Sequence, residues 1–322
     1  MADRIRTAGI DCGTNSIRLL IADFDPASGR LTDVQRVMEV VRLGQDVDRT
    51  GWFAPKALER TLDAVKRFGE LCRQAGTERL RFVATSATRD AANRSVFLDG
   101  VRGHLGVEAE VIDGLEEAHL SFAGALSGLP DGLEGPYLCV DLGGGSTELV
   151  LGANTPSHAY SMDVGCVRIT ERYLRSDPPT AAEVRQAADA VDQVLDSAAR
   201  HVPLGQAATL IGLAGSVTTV TAHALGLDQY DSDRIDGAVL TTGQALDSCA
   251  ALWQATRSVR ARMGFMHPGR VDVIGAGALV WSRILGRVAL EVEACGRSLE
   301  RVVTSEHDIL DGIALSAARR AG

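Results

Sequence analysis

Apolar runs over residues 5–11, 17–24 and 31–43 predict three strands at the start of the chain. The period then changes. Between Ala54 and Ala75 the apolar positions 58, 62, 65, 68 and 71 follow helical spacing, and Gly76 stands where that helix should stop. LRFVATSATRD (80–90) reads as a buried strand running into a polar turn, followed by a helix near 91–104, a strand at 107–113 and a helix at 115–129. SGLPDGLEGP (127–136) breaks the pattern and marks a candidate domain boundary. Beyond it come a hairpin at 140–152, a strand passing into a helix over 161–174, and a helix over 176–201 opened by Pro-Pro, with Thr180 as cap and Glu183 three residues on. Residues 208–226 and 271–285 each read as strand, glycine turn and helix. The last segment, 305–322, reads as a helix whose Arg319 and Arg320 suit its negative end. This mixture of hairpins and βα units indicates α/β layers in two halves.

Two parts of the pattern are versions of one device. IDCGTNSIRLLIA (10–22) and VDLGGGSTELVLG (140–152) each give an apolar strand ending in Asp, a glycine-rich turn with a small hydroxyl residue, and a second apolar strand. Asp11/Asp141, Gly13/Gly143, Ser16/Ser146 and Leu19/Leu149 match. Such turns gather backbone N–H groups into a concave donor set for anions, phosphate above all. Gly13, Thr14, Asn15 and Ser16 in the first turn, and Gly143, Gly144, Gly145 and Ser146 in the second, are therefore candidate phosphate ligands. Their repetition suggests two halves facing each other across a phosphate-holding cleft. If 143–146 form the turn, Asp141 stands directly opposite Glu148, with Cβ atoms ~4.5–5.5 Å apart. The same register sets Asp11 against Arg18, which compensates itself. Facing carboxylates repel, and a divalent cation relieves that cost, so Asp141 and Glu148 are the candidate metal ligands. Hard oxygen donors beside phosphate favour Mg²⁺ over zinc or copper.

Length and charge narrow the setting. At 322 residues two domains are expected, 1–125 with a terminal helix 306–322 packing back on it, and 126–305. A net charge of −9 argues against broad binding of nucleic acid. No apolar stretch approaches the ~18 residues of a membrane helix, and no basic-flanked leader precedes the first strand, so a cytoplasmic protein without a membrane partner is expected. Six scattered cysteines, with no CxxC pair or Cys/His metal spacing, read as buried small hydrophobes.

Other candidates lie outside the hairpins. Glu116 and Glu117 open the helix at 115–129, where the dipole suits acids. Leu115, Ala118, Phe122, Leu126 and Leu129 form its expected buried stripe. Glu117 falls opposite, with Ser121, Gly124 and Gly128, where a carboxylate could serve as general base for a water. GLAGSVTT (212–219) is a third glycine–hydroxyl turn entering a helix, suited to an anion through Gly215, Ser216 and Val217. ATSATRD (84–90) offers hydroxyls at 85, 86 and 88 together with Arg89, and Arg168 and Arg172 follow Gly165-Cys166. No GxSxG motif is present, and the lone His307-Asp308 pair reads as structural.

IDCGTNSIRLLIAD, ATSATRDAAN, GLEEAHLSF, VDLGGGSTELV, DVGCVRITERYL and GLAGSVTT resemble, in order, successive motifs of the Ppx/GppA family of exopolyphosphatases and guanosine pentaphosphate phosphohydrolases, and VDVIGAGAL fits its late segment. The resemblance implies two ribonuclease-H-like domains of the actin/sugar-kinase/Hsp70 superfamily around a central cleft. It implies a Mg²⁺-dependent hydrolase, expected as a homodimer, that removes terminal phosphate from inorganic polyphosphate or pppGpp. By the same resemblance Glu117 is the catalytic base, Asp141 and Glu148 serve Mg²⁺ and the nucleophilic water, and Gly143–Ser146 hold phosphates. The first turn, Ser86, Arg89 and residues 215–217 complete the expected substrate contacts, with Arg89 neutralising charge in the transition state. The chain stops where longer members add an HD-type domain, and HDILDGIAL replaces a more Arg-Glu-Gly-like ending. Two other readings stay open: an ATP-using kinase or ATPase with an adenosine pocket near 212–220, and a non-catalytic polyphosphate- or nucleotide-binding regulator.

Overall fold

The computed structural model of the protein describes residues 4–130 and 132–320. Its first sheet starts as an antiparallel meander of β1 (Ile5–Cys12), β2 (Ser16–Asp25) and β3 (Arg30–Val40). β4 (Arg79–Ala84) and β5 (Ala109–Val111) extend it in parallel on the β1 side, giving the order β3-β2-β1-β4-β5. Alternation explains why these strands are apolar almost throughout. Ala8, Ile10, Cys12, Ile17, Leu19 and Ile21 enter one cluster with Val65, Phe68 and Phe97 of helices Pro55–Gln74 and Arg94–Leu105. Leu20 and Ala22 point the other way, onto Leu310 and Ala314 of the helix Ile309–Arg319. A sheet covered on both faces requires both sets of positions to be apolar.

The unusual ending HDILDGIAL is accounted for by this second cover. Asp311, buried, accepts the Arg36 guanidinium of β3 through both oxygens, at 2.7 and 3.1 Å. Gly312 lets the terminal helix approach helix Gly114–Ser127 so closely that a Cβ would stand 2.0 Å from the Leu120 carbonyl oxygen.

The second sheet repeats the plan. β6 (Tyr137–Leu142), β7 (Thr147–Gly152) and β8 (Pro156–Met162) form the meander, and β9 (Thr209–Leu213) runs parallel to β6. With β10 (Val239–Thr241) and β11 (Arg301–Thr304) the order is β10-β11-β9-β6-β7-β8. Read outward from β8, the five strands β8-β7-β6-β9-β11 reproduce the order and directions of β3-β2-β1-β4-β5, and β10 is an added antiparallel edge. Each sheet is thus the ribonuclease-H-like arrangement. The chain divides into two compact units, one up to Ser127 and again from Ile309 onward, the other Gly128–Asp308. The crossings fall two or three residues beyond the 125/126 and 305/306 read from the sequence.

Several local expectations need correction. Residues 271–273 are not a strand; helix Ile274–Ala294 begins directly after a short 3-10 turn at Pro268–Arg270, because VDVI is too short an apolar run to distinguish strand from helix. Leu115 is 53% exposed, and the face of its helix carrying Glu117, Ser121 and Gly124 is buried. The terminal helix packing on this helix makes it buried on more than one side. Five cysteines are buried but Cys295 is exposed. The Thr180/Glu183 capping box is present, each side chain bonding the other's backbone N–H. Among the described residues no helix is long and apolar enough to cross a membrane.

Candidate active site

The two glycine-rich turns close with the same bond. Gly13 N donates to Ser16 O and Gly143 N to Ser146 O, both at 3.0 Å. In each unit a second segment engages the turn's carbonyls. Gly44 N meets Thr14 O at 2.8 Å, and Val41 N and Arg42 N meet Asn15 O at 3.1 and 2.8 Å. In the second unit the start of helix Cys166–Tyr173 does this work: Cys166 N meets Gly143 O at 3.0 Å, Val167 N and Arg168 N meet Gly144 O, and Arg168 Nε meets Gly145 O at 2.9 Å. Gly165 is required there, since a Cβ would lie 2.4 Å from Gly144 O. Drawing the carbonyls to one side is the arrangement that an anion nest needs.

At the foot of each turn the strand register decides the charge. Asp11 pairs with Arg18 and Asp141 with Glu148, as the turn geometry predicts. Alternation sends Ile10 and Cys12 into the main cluster, so Asp11 faces away from it; Leu142 and Val140 do the same for Asp141. Arg18 donates Nε and NH2 to Asp11 Oδ2 at 2.9 and 2.7 Å. Asp141 is 7% and Glu148 1% exposed, and Ser161 Oγ donates to Glu148 Oε1 at 2.7 Å. The second unit therefore brings two buried carboxylates to the mouth of an anion turn, where the first has a closed ion pair. Among the described residues no group of three or more His, Cys, Asp or Glu forms a cage. A cation here would take two protein carboxylates and complete its sphere from water and ligand oxygens, a donor set that fits Mg²⁺ and not a structural zinc.

The first unit supplies a third feature. β4 leads through Thr85, whose N–H meets Cys12 O at 3.2 Å, into the short helix Ser86–Asp90. From it Arg89 NH1 donates to Glu117 Oε2 at 2.7 Å and to Ile112 O at 2.9 Å. The two candidates for base and charge neutraliser are thus in direct contact. Glu116, one residue away, is occupied elsewhere: it pairs with buried Arg81, which also binds Glu110 and Ser316 Oγ. Adjacent glutamates therefore serve different networks.

The family model of the Ppx/GppA phosphatase family matches residues 20–312. The chain belongs to the Ppx/GppA phosphatase family. It is 49% identical to Exopolyphosphatase 2 of Mycobacterium tuberculosis, over 97% of this chain and 98% of that one. It is 30% identical to the guanosine-5'-triphosphate,3'-diphosphate pyrophosphatase of Photobacterium profundum, over 69% of this chain and 44% of that protein. The solved PPX-GPPA enzyme of Aquifex aeolicus superposes with a TM-score of 0.79 at 29% identity, covering 98% of this chain and all of that one. The protein is accordingly an enzyme of this family, with two sheets of one ribonuclease-H-like strand order.

For a Ppx/GppA enzyme the third turn holds a residue that sequence reasoning missed. Ala214 opens helix Ala214–Ala224 at φ 67, a left-handed conformation that alanine rarely adopts. Ser216 is buried beside the turn, whereas the Val217 side chain belongs to the core, so only its backbone N–H suits a ligand. The Arg270 guanidinium lies on Gly215, within 2.2 Å of where a Cβ would be. Arg270 acts through its charge on the neighbouring Tyr230 and Glu306. It stands in HPGR, just before the misread apolar run, and no periodicity marks it. Beside it the Tyr230 hydroxyl lies 2.5 Å from Glu306 Oε1 and 2.9 Å from Thr218 Oγ1. Burial pushes the Tyr230 phenol and the Glu306 carboxyl above their ordinary ranges. His307 stacks over Gly128 with its Nε2 3.8 Å from Asp236, consistent with a structural role.

Proposed function

We propose that the protein is a Mg²⁺-dependent phosphoanhydride hydrolase that releases the terminal phosphate of inorganic polyphosphate or pppGpp. The observation that carries this reading is the buried Asp141–Glu148 pair at the foot of the 143–146 turn. It places two buried carboxylates where phosphate oxygens are expected, and a divalent cation would reconcile the two. Bound there, Mg²⁺ would supply charge neutralisation and lower the pKa of a coordinated water.

The chain's own groups do the rest. Each unit's turn, with Ser16 in the first and Ser146 in the second, offers amides and a hydroxyl to phosphate oxygens, and within the second unit Gly215, Ser216 and the Arg270 guanidinium add donors. Glu117, held by Arg89, accepts a proton from the attacking water as its oxygen bonds to the terminal phosphorus. The phosphorus–oxygen bond to the preceding phosphate breaks, and that oxygen leaves with the shortened chain. Arg89 contributes positive charge to the transition state as well as orienting Glu117. Exopolyphosphatase 2, the relative matched over nearly its whole length, supports polyphosphate as the first substrate to try.

The test is phosphate release from tripolyphosphate, long-chain polyphosphate, pppGpp and ATP, with Mg²⁺ and with EDTA. Release from the first three, abolished by EDTA, is expected. Turnover of ATP alone would replace this reading with an ATPase, and no release from any would leave a binding protein.

A further inference from the structure

We infer that Glu306, acting with Tyr230, is a positioning residue for the third glycine turn and for the Arg270 guanidinium that lies on it. This rests on the phosphoanhydride reading above, in which that turn adds donors for phosphate oxygens. All of these groups belong to the second unit. β9 and β11 are adjacent parallel strands with Thr304 opposite Gly212, so they end at the same edge of the sheet. From that edge β9 runs into Ala214 and Gly215, and β11 into Ser305 and Glu306. Ser305 N joins the two exits by donating to Gly212 O at 3.1 Å. The carboxyl ends of parallel strands are where ligands of α/β sheets gather.

A short series of contacts ties Glu306 to the turn. Its N–H donates to Asp236 Oδ1 at 2.9 Å, which fixes the backbone. Its Oε1 lies 2.5 Å from the Tyr230 hydroxyl, and that hydroxyl also reaches Thr218 Oγ1 at 2.9 Å. Thr218 is buried in the helix that Gly215 opens, one turn further on, and its neighbour Thr219 donates to Gly215 O at 2.6 Å. The Arg270 guanidinium lies on the same Gly215, and its charge acts on both Tyr230 and Glu306.

The Tyr230 hydroxyl has one proton for two acceptors. With Glu306 ionised the carboxylate takes it, because a charge-assisted hydrogen bond is roughly twice as strong as a neutral one. The same negative charge then attracts Arg270 toward its place on the turn. With Glu306 protonated that attraction is gone and the phenol is released to Thr218. Burial pushes the Glu306 carboxyl above its ordinary range, and Asp308 and Asp236 add to the effect, against Tyr230 and Arg270. His307, the other titratable neighbour, stands near Asp236. The positioning is therefore complete at neutral pH and is lost as the pH falls through the raised Glu306 value. A carboxylate beside a phosphate site also repels the substrate directly. Attraction through Arg270 and direct repulsion have opposite signs, so the sign of the change in KM decides between them.

The experiment uses the full-length protein with Mg²⁺ and tripolyphosphate. Glu306→Gln keeps an acceptor for Tyr230 and removes the charge, so E306Q should melt as wild type does. At neutral pH its KM should rise about 10-fold with a smaller change in kcat, a coupling of the size that neighbours in one network show. The ratio of mutant to wild-type KM should fall toward one in acid, and taking the ratio cancels titration of the substrate. Arg270→Ala should raise KM by itself, and adding E306Q to R270A should raise it no further. An unchanged or lowered KM in E306Q, or effects of R270A and E306Q that multiply, would overturn the assignment. If E306Q melts well below wild type, Y230F takes its place in the cycle, since it removes only the hydroxyl link. A KM raised in Y230F but not raised further in Y230F/R270A supports the assignment, and independent effects overturn it. A wild type that neither binds nor hydrolyses tripolyphosphate would sink this assignment and the hydrolase reading together, whereas wild-type turnover with multiplying effects would sink this assignment alone.

Discussion

Replacing Asp141 and Asp11 by Asn should have opposite effects on the metal-free protein, although the two residues occupy equivalent positions. Asp141 faces Glu148 across the ladder, and both are buried. With both ionised at a separation of about 5 Å and an effective dielectric of about 20, their repulsion is about 3 kcal/mol. Asn keeps the shape and one acceptor while removing the charge. Some of the gain is offset because an amide keeps one acceptor oxygen where the carboxylate has two, a hydrogen bond being worth about 1 kcal/mol. The metal-free D141N protein should therefore be as stable as wild type or up to about 2 kcal/mol more stable.

Asp11 is the control. It accepts two N–H groups of Arg18 on one oxygen, and D11N leaves a guanidinium in a partly buried place without its counter-charge. Removing one partner of a fully buried pair costs about 3–5 kcal/mol; with Arg18 about one-fifth exposed and an amide oxygen retained, about 2 kcal/mol is expected. Thermal melts in EDTA and across a Mg²⁺ titration read both effects. Wild type should gain stability with Mg²⁺ as RT ln(1 + [L]/Kd), D141N should lose most of that gain, and D11N should melt lower with or without the metal. A metal-free D141N protein markedly less stable than wild type, with Mg²⁺ affinity unchanged, would refute the facing-carboxylate reasoning.

Glu117→Gln should lower kcat by roughly 10²–10⁴ with a smaller change in KM, whereas Glu116→Gln should mainly loosen the Arg81 network; equal kinetic losses would show that neither is the base. Ala214→Gly should stabilise the protein by about 0.5–1 kcal/mol, the left-handed strain removed less the added freedom of the unfolded chain, and a lower urea midpoint would contradict it. Burial works to raise the Glu110 carboxyl, but Arg320 and Arg81 overcome it and hold it at about 2, below its ordinary 4.5. Its contribution to stability is therefore complete above pH 4.5 and is lost as the pH falls toward 2. Glu110→Gln should flatten the fall of the urea midpoint over that window, and an unchanged slope would remove Glu110 from the account.

What the sequence disclosed was set by the range of each interaction. The hairpin pairs were legible because a four-residue turn fixes the register, and register fixes which side chains share a face. Asp11 against Arg18 and Asp141 against Glu148 follow from counting. The Arg89–Glu117 contact was not legible: β5 and a loop intervene, and only the packing of the Ser86–Asp90 helix brings Arg89 to Ile112 O and the start of the next helix. Arg270 was invisible for the same reason, since several helices and a strand lie between it and Gly215 in the chain. β10 and β11, three and four residues long, were too short to show a period. The burial of Glu117 was misjudged because the partner that covers its helix arrives from the far end of the chain.

The duplicated hairpin shows how one backbone device can carry two electrostatic characters. Both turns close with the same Gly-to-Ser bond and both have their carbonyls drawn off by a neighbouring segment. The difference lies at one cross-strand position, where Arg18 stands in the first unit and Glu148 in the second. An arginine there pairs with the aspartate within the unit. A glutamate sets two carboxylates side by side, and on the proposed reading a cation would join the anion at that turn. The supporting segments differ to match. The turn with the carboxylate pair is supported by a helix start and by Arg168, whose positive ends draw on its carbonyls. The turn whose aspartate is already neutralised is supported instead by the backbone N–H groups of Val41, Arg42 and Gly44.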